Sequence, residues 1–239
     1  MIIVSGSVRM EKSETAVVLA PFIEGMKAAG ASVELVYVKR LKIMPCMGDF
    51  QCWGELPGQC RIRDDMQTLY PKLKSADILV LATPVYVPLP GEMQNFMNRL
   101  VPLIDPYLIR RGDRTRARPN KDVMIKKIAL VSTCGWWEKG NFGTVVRIAQ
   151  EISKDMGVEF AGAVLRPHAS LLSREGAKAE DVLRALRQAG KALVESGKLP
   201  KALLDTIAQP LISEQEFRRR SNENHKRVRA ELRDDTYYD

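Results

Sequence analysis

The stretch that decides the fold is Met1-Ile2-Ile3-Val4-Ser5-Gly6-Ser7-Val8-Arg9-Met10-Glu11-Lys12-Ser13-Glu14-Thr15. It opens with an apolar run, Met1 to Ser5, that shows no polar alternation, as expected of a strand covered on both faces. A turn of small residues follows. From Ser13 to Ala29 the apolar residues recur at helical spacing until Gly30, a suitable C-cap. Strand, tight turn and helix form the repeating unit of a parallel sheet.

The unit recurs along the chain. Strands are expected at Val33 to Val38, Asp77 to Ala82, Lys127 to Ser132 and Val158 to Leu165. Helices are expected at Asp64 to Leu73, Gly91 to Ile104 (with Met93, Phe96, Met97 and Leu100 on one side), Asn141 to Met156 and Ala179 to Glu195. Five alternations call for an α/β fold with helices on both faces of a parallel sheet. The expected architecture is a flavodoxin-like, doubly wound five-stranded parallel sheet in the order 2-1-3-4-5, over residues 1–196. Residues 197–239 leave the alternation. They hold Pro200, Pro210 and a helical stretch from Ser213 to Leu232, and read as a C-terminal helical arm suited to packing on a partner subunit.

Composition sets the bounds. The chain has 239 residues, 45% of them hydrophobic, which is enough for a sizeable core without disulfide staples. No run approaches the roughly 18 apolar residues of a membrane span, so no membrane role is expected. No basic segment precedes Ile2-Ile3-Val4, and a cytoplasmic location is the expectation. Thiols stay reduced there, so clustered cysteines point to metal or redox chemistry. Three of the four cysteines lie between Cys46 and Cys60. The 37 Lys and Arg against 29 Asp and Glu give a net charge of +8, a mild bias toward anionic partners.

Ligands on such sheets sit beyond the carboxyl ends of the strands. The first loop lacks GxGxxG and the Walker lysine pattern. It offers Ser7, Ser13 and Thr15 hydroxyls and Arg9 at a helix N-terminus, a setting that suits a terminal phosphate. The alternative is an ordinary Ser13 N-cap beside a solvated Arg9. The loop after the third strand, Thr83 to Pro90, holds three prolines and makes a stiff apolar shelf for a flat ring. The loop after the fourth strand reads Thr133-Cys134-Gly135-Trp136-Trp137-Glu138-Lys139-Gly140. Its two tryptophans serve either a ligand or the packing of the core and a helix end. A planar mononucleotide fits all three loops.

These motifs carry a resemblance. Gly6-Ser7-Val8-Arg9 with Ser13-Glu14-Thr15, then Thr83-Pro84-Val85-Tyr86, then Ser132-Thr133-Cys134-Gly135, resemble the NAD(P)H-dependent FMN reductase and iron–sulfur flavoprotein family over about residues 1–195. The resemblance implies that Ser7, Arg9, Ser13 and Thr15 hold the FMN phosphate, with Glu14 also among the cofactor-binding residues. Pro84, Val85, Tyr86 and Val87 would lie along the ring, and Thr133, Cys134, Gly135 and Trp136 would close on it. Val8 departs from the family, which usually has Pro there. The implied activity passes electrons from NAD(P)H through FMN to a quinone, a flavin or another small acceptor, and no protein acid or base is required. The implied assembly is a homodimer or homotetramer.

The cysteine stretch is Pro45-Cys46-Met47-Gly48-Asp49-Phe50-Gln51-Cys52-Trp53, then Cys60. It is similar to the compact four-cysteine motif by which iron–sulfur flavoproteins hold a [4Fe-4S] cluster, with Asp49 in place of the second cysteine. Three readings stand: a cluster on Cys46, Asp49, Cys52 and Cys60; a motif that keeps its thiols as structure or as a redox pair; and zinc. Asp49 is a harder donor than a thiolate and would leave its iron more exchangeable. With a cluster, the protein becomes an electron carrier that exchanges electrons with ferredoxin.

Arg110 to Arg118, with Lys121, Lys126 and Lys127, reads as a long solvated loop or as a site for NAD(P)H phosphates or an acidic electron partner. No aromatics interleave with the basic residues, which argues against nucleic acid. His168 reads as a hydrogen-bonded surface residue or as a cofactor neighbour, and His225 as surface. A receiver-type signalling domain would need acidic residues after the first strand, where Ser5-Gly6-Ser7 stands.

Overall fold

A computed structural model describes residues 1–234; the last five residues of the expected arm, 235–239, lie outside them. Five strands, β1 (Ile2–Ser5), β2 (Glu34–Tyr37), β3 (Ile78–Pro84), β6 (Lys127–Thr133) and β7 (Glu159–Arg166), form a parallel sheet in the order β2-β1-β3-β6-β7. This is the expected 2-1-3-4-5 order, with a separate hairpin, β4 (Ile104–Arg111) and β5 (Arg114–Pro119), inserted before β6.

Successive strand residues face opposite sides of the sheet, and both sides are apolar. Ile2, Val4, Leu79, Leu81, Ile128 and Leu130 pack under α2 (Met66–Ser75), α3 (Gly91–Asn98) and α4 (Gly143–Met156). Ile3, Val80, Ala82, Ala129, Val131 and Val164 pack under α1 (Glu14–Ala28), α5 (Gly176–Glu195) and α6 (Lys201–Ala208). Two-sided burial explains why these strands read as unbroken apolar runs. On the second side, α1 and α5 meet backbone to backbone. A Cβ on Gly25 would lie 1.8 Å from the Arg187 carbonyl oxygen, and one on Gly190 would lie 1.9 Å from that of Phe22. α6 belongs to this layer through buried Ile207, and Leu211 beyond it is buried in the same core.

Two expectations need correction. The helix expected over Gly91 to Ile104 ends at Asn98; a single turn at Val101–Leu103 follows, and Ile104 already begins β4. Pro102 has no N–H to continue the helical ladder. The basic stretch is also no loop but the β4–β5 hairpin, laid on α4 by its arginines. Arg114 pairs with Glu151 at 2.8 Å and Arg116 with Asp155 at 2.6 Å. Arg111 donates to the carbonyls of Lys154 and Asp155 at the negative end of α4. Arg118 pairs with Asp105 inside the hairpin and covers the Tyr107 ring. The long final helix, α7 (Glu214–Asp234), is mostly exposed from Arg218 to Glu231. Among the described residues, no helix is long and apolar enough to cross a membrane.

Candidate functional site

Strand register assembles the site. Ser5 lies opposite Ala82, Pro84 opposite Thr133, and Thr133 opposite Arg166, so the loops after β1, β3, β6 and β7 leave the sheet side by side. Backbone bonds tie them together: Gly6 N–H donates to Ala82, Val85 N–H to Thr133, Cys134 N–H to Arg166 and Ala169 N–H to Cys134. Between them lies an open cleft of about 270 Å³.

Of the thirteen residues expected at the cofactor, Ser7, Arg9, Ser13, Glu14, Thr15, Pro84, Val85, Tyr86, Thr133, Cys134 and Gly135 line this cleft. Val87 does not; it stands 99% exposed at the tip of the proline loop. Trp136 does not either; it turns away at 69% exposure and lines a neighbouring groove. Val8, Ala169 and Ser170 line the cleft without having been expected there. The signal for the last two was their place at the carboxyl end of the fifth sheet strand, the same edge that carries the other loops.

The cleft is built for an anion at one end. Ser7, Ser13, Thr15 and Thr133 are all buried. Ser13 caps α1: its hydroxyl accepts from Ala16 N–H at 3.1 Å and donates to the Met10 carbonyl at 2.6 Å. Its one proton is therefore used inside the loop, and its part is to shape the helix start. Thr15 and Thr133 share a hydrogen bond of 2.8 Å, so one of the two hydroxyl protons remains for a ligand. Of the opening amides of α1, those of Ala16 and Val17 are bonded to Ser13, and those of Glu14 and Thr15, with no carbonyl one turn back, are left at the helix end. Arg9 stands at the rim, 3.5 Å from Glu14. Such an end suits a phosphate, and the Pro84-Val85-Tyr86 shelf suits a flat apolar ring. The residues present therefore fit a flavin mononucleotide. Burial pushes the Cys134 thiol up, keeping it protonated beside the cleft.

His168 follows β7 and is a correction: it is no surface residue but 1% exposed, with neither ring nitrogen hydrogen-bonded among the described residues. Its ring stacks on Trp137 at 4.4 Å, and Trp137 meets Phe217 of α7 at 5.6 Å. Burial, then the nearby Arg166 charge, pushes its pKa down to about 4. Trp137 thus joins the third cleft loop to the final helix.

The cysteine stretch lies on the α2–α4 side of the sheet. Cys46, Asp49, Cys52 and Cys60 line one small cavity of about 70 Å³. Among the described residues, no three His, Cys, Asp or Glu side chains are placed to hold a metal ion. Asp49 instead faces Arg61 at 3.5 Å. Burial, then the neighbouring Cys60 and Cys46, pushes the Cys52 thiol up. The stretch hangs on a buried ion pair. Arg99, just after α3, donates to Asp64 at 2.8 and 3.1 Å and to the Met44 carbonyl at 2.9 Å.

Residues 1–153 match the family described as NADPH-dependent FMN reductase. An iron–sulfur flavoprotein of Archaeoglobus fulgidus is 37% identical over 83 residues, 35% of this chain and 40% of that one. An iron–sulfur flavoprotein of Methanocaldococcus jannaschii is 30% identical over 108 residues, 45% of this chain and 54% of that one. The chain thus spans about half or less of the length of these curated relatives. In shape, the NAD(P)H:quinone oxidoreductase of Methanothermobacter marburgensis matches with a TM-score of 0.54 at 18% identity, over 80% of this chain and 94% of that one. An FMN-dependent NADH-azoreductase of Bacillus anthracis matches with a TM-score of 0.57 at 11% identity, over 81% and 98%. At these identities the likeness speaks for the fold.

Proposed function

Because the chain belongs to the NADPH-dependent FMN reductase family, we propose that it binds FMN in the three-loop cleft and catalyses NAD(P)H-dependent reduction of a small acceptor of quinone or flavin type. The observation that carries this reading is the junction of a hydroxyl- and amide-lined pocket at the start of α1 with the Pro84 to Tyr86 shelf in one cleft. Bound FMN supplies the hydride and single-electron chemistry that side chains lack. Ser7, Thr15 and the opening amides of α1 would hold its phosphate, with Arg9 adding charge at the rim. Val85 and Tyr86 would bear on one side of the ring, and Cys134 and Gly135 on another. The Thr15–Thr133 bond fixes α1 to β6, which keeps the phosphate pocket and the ring pocket in one geometry. For a quinone acceptor the reaction balances as quinone, NADPH and one solvent proton giving hydroquinone and NADP⁺. A soluble cytoplasmic homodimer or homotetramer, with residues 1–196 as the cofactor domain and 197–239 as an arm whose α6 packs into that domain's core, completes the reading.

The test is a fluorescence titration of the chain with FMN, followed by NADPH and NADH oxidation in the presence of a naphthoquinone. Stoichiometric binding and turnover are expected. A chain that binds no FMN and oxidises neither nucleotide overturns the reading.

A second reading is an iron–sulfur flavoprotein that trades electrons with ferredoxin. One observation favours it: three thiols and Asp49 share a cavity. The donor set suits iron, but the side chains as placed do not converge on a metal position, so no step is assigned to a cluster. An iron-to-chain ratio near four after anaerobic purification would support this reading; an iron-free protein that turns over quinone would end it.

A further inference from the structure

The C-terminal arm reaches back to the cleft. The wall that carries Cys134 and Gly135 is continued by the segment after β7, whose Ala169 and Ser170 line the same cleft. Three backbone bonds join the two segments. Cys134 N–H donates to the Arg166 carbonyl at 3.1 Å, Ala169 N–H to that of Cys134 at 3.1 Å, and His168 N–H to that of Trp136 at 2.9 Å. Trp136 N–H in turn donates to the Cys134 Sγ at 3.3 Å, so the thiol is tied to its own loop. Side chains from both segments, Trp137, Arg166 and His168, meet the arm.

Two grips hold the wall. Arg166 is fully buried, and its guanidinium donates to the carbonyls of Ile207 at 2.7 Å and Gln209 at 2.8 Å, at the closing end of α6. A buried charge is costly unless polar groups meet it, and the negative end of a helix is such a group. Arg166 therefore ties α6 to the end of β7. The second grip is Trp137. From Gly135 to Asn141 every residue is exposed except Trp137, which is half-buried, so it is the one anchored side chain of that loop. Its ring stacks on His168 at 4.4 Å and meets Phe217 of α7 at 5.6 Å, and His168 meets Phe217 at 6.1 Å. Arg220, one turn along α7, pairs with Glu175 just before α5 at 2.6 Å and holds Phe217 in place.

We propose that the arm is a positioning element of the cleft: Phe217, acting through Trp137, sets the Cys134-Gly135 wall. Phe217 does not itself line the cleft, so it is a positioning residue and not a catalytic one. A loop with a single anchored side chain opens when that anchor is lost, at a cost below that of global unfolding. The effect on a bound flavin rests on the flavin reading above; the hold on the wall does not.

The test compares the full chain as wild type, Phe217→Ala and Phe217→Tyr, with Phe217→Leu carried alongside so that the outcome does not hang on one variant folding. Without FMN, iodoacetamide labelling of Cys134 is followed by mass spectrometry well below the melting transition, with half-buried Cys60 of the cysteine stretch as internal reference. Phe217→Ala is expected to speed Cys134 about tenfold relative to Cys60, as local opening exposes the thiol, and Phe217→Tyr, which keeps the ring, to stay near wild type. With FMN, Phe217→Ala is expected to weaken FMN binding severalfold and to change the visible circular dichroism of the bound flavin, and Phe217→Tyr to restore both. A Cys134-to-Cys60 ratio that Phe217→Ala leaves unmoved overturns the proposal, as does an equal speeding of both thiols or a failure of Phe217→Tyr to rescue. Faster Cys134 labelling with FMN affinity and dichroism unmoved overturns it too, because the wall would then not bear on the ring. A wild-type chain that binds no FMN removes the flavin reading, and the labelling ratio alone then decides on the arm.

Discussion

The cleft and the cysteine stretch are two loop-built regions of one sheet, and they differ in what holds them. The walls of the cleft are short loops that leave the strand ends side by side, with the start of α1 among them. Sheet register and loop-to-loop backbone bonds fix its polar groups before any ligand arrives. The cysteine stretch has no strand or helix between Leu41 and Met66. It depends on the Asp64–Arg99 pair, and its donors share a cavity without converging. A preformed site leaves little ordering for the ligand to impose, whereas a suspended one must be drawn together by what it binds.

That contrast can be broken at its largest support. Arg99→Met leaves Asp64 charged and unpaired at 1% exposure, which costs about 3–5 kcal/mol. Denaturant unfolding checks the loss. FMN affinity measured below the transition should hold; if it falls in step, the two regions are not independent. At the cleft, Thr15→Val removes one buried hydroxyl and strands that of Thr133. FMN affinity is expected to drop about tenfold, the value of roughly 1.4 kcal/mol of hydrogen bonding, with melting temperature changing far less. Thiol labelling sharpens the contrast further. Exposed Cys46 should react roughly tenfold or more faster than Cys134, which is buried and whose pKa burial raises. Equal rates, read by mass spectrometry of partial labelling, would mean that the cleft opens as freely as the stretch. The smallest effect is on pH. His168 titrates near 4 in the fold and near 6.5 when unfolded, so the unfolded chain binds the proton first. Stability is full above about pH 6.5 and falls as pH drops toward 4. His168→Asn, which tolerates the positive φ of 39° at that position, should flatten the decline in denaturant midpoint between pH 7.5 and 4.5.

The sheet was legible because its strands are buried on both faces, so Ile2-Ile3-Val4 and Ile78 to Ala82 carry no competing pattern. The loops that line the cleft were legible for a related reason, since in this fold the ligand edge follows from strand order; their ring-facing residues were legible only through the resemblance of their motifs. The hairpin was not legible. Its arginines look solvated in sequence because their partners, Glu151, Asp155 and the end of α4, lie some 40 residues away. His168 looked like surface for the same reason, since Trp137 and Phe217 bury it from 31 residues before and 49 after. Local pattern reports neighbours in sequence, and these side chains are defined by neighbours in space. Trp136 escaped for the opposite reason: it has a loop position like that of Cys134 but turns outward, which no spacing rule encodes.

The contact between Gly25 and Gly190 has a consequence at the opposite end of the molecule. Two helices touching at main-chain distance have no side chains between them to absorb an error, so α5 acts as a fixed datum against which α1 is set. The other end of α1, about 16 Å away along its axis, carries the amides and Thr15 that shape the phosphate pocket. A methyl group added at either glycine would shift the whole rod and so detune a site it never touches. The dimensional tolerance of the cleft is therefore held at the back of the protein, partly by a helix that lies beyond the 153 residues the family accounts for.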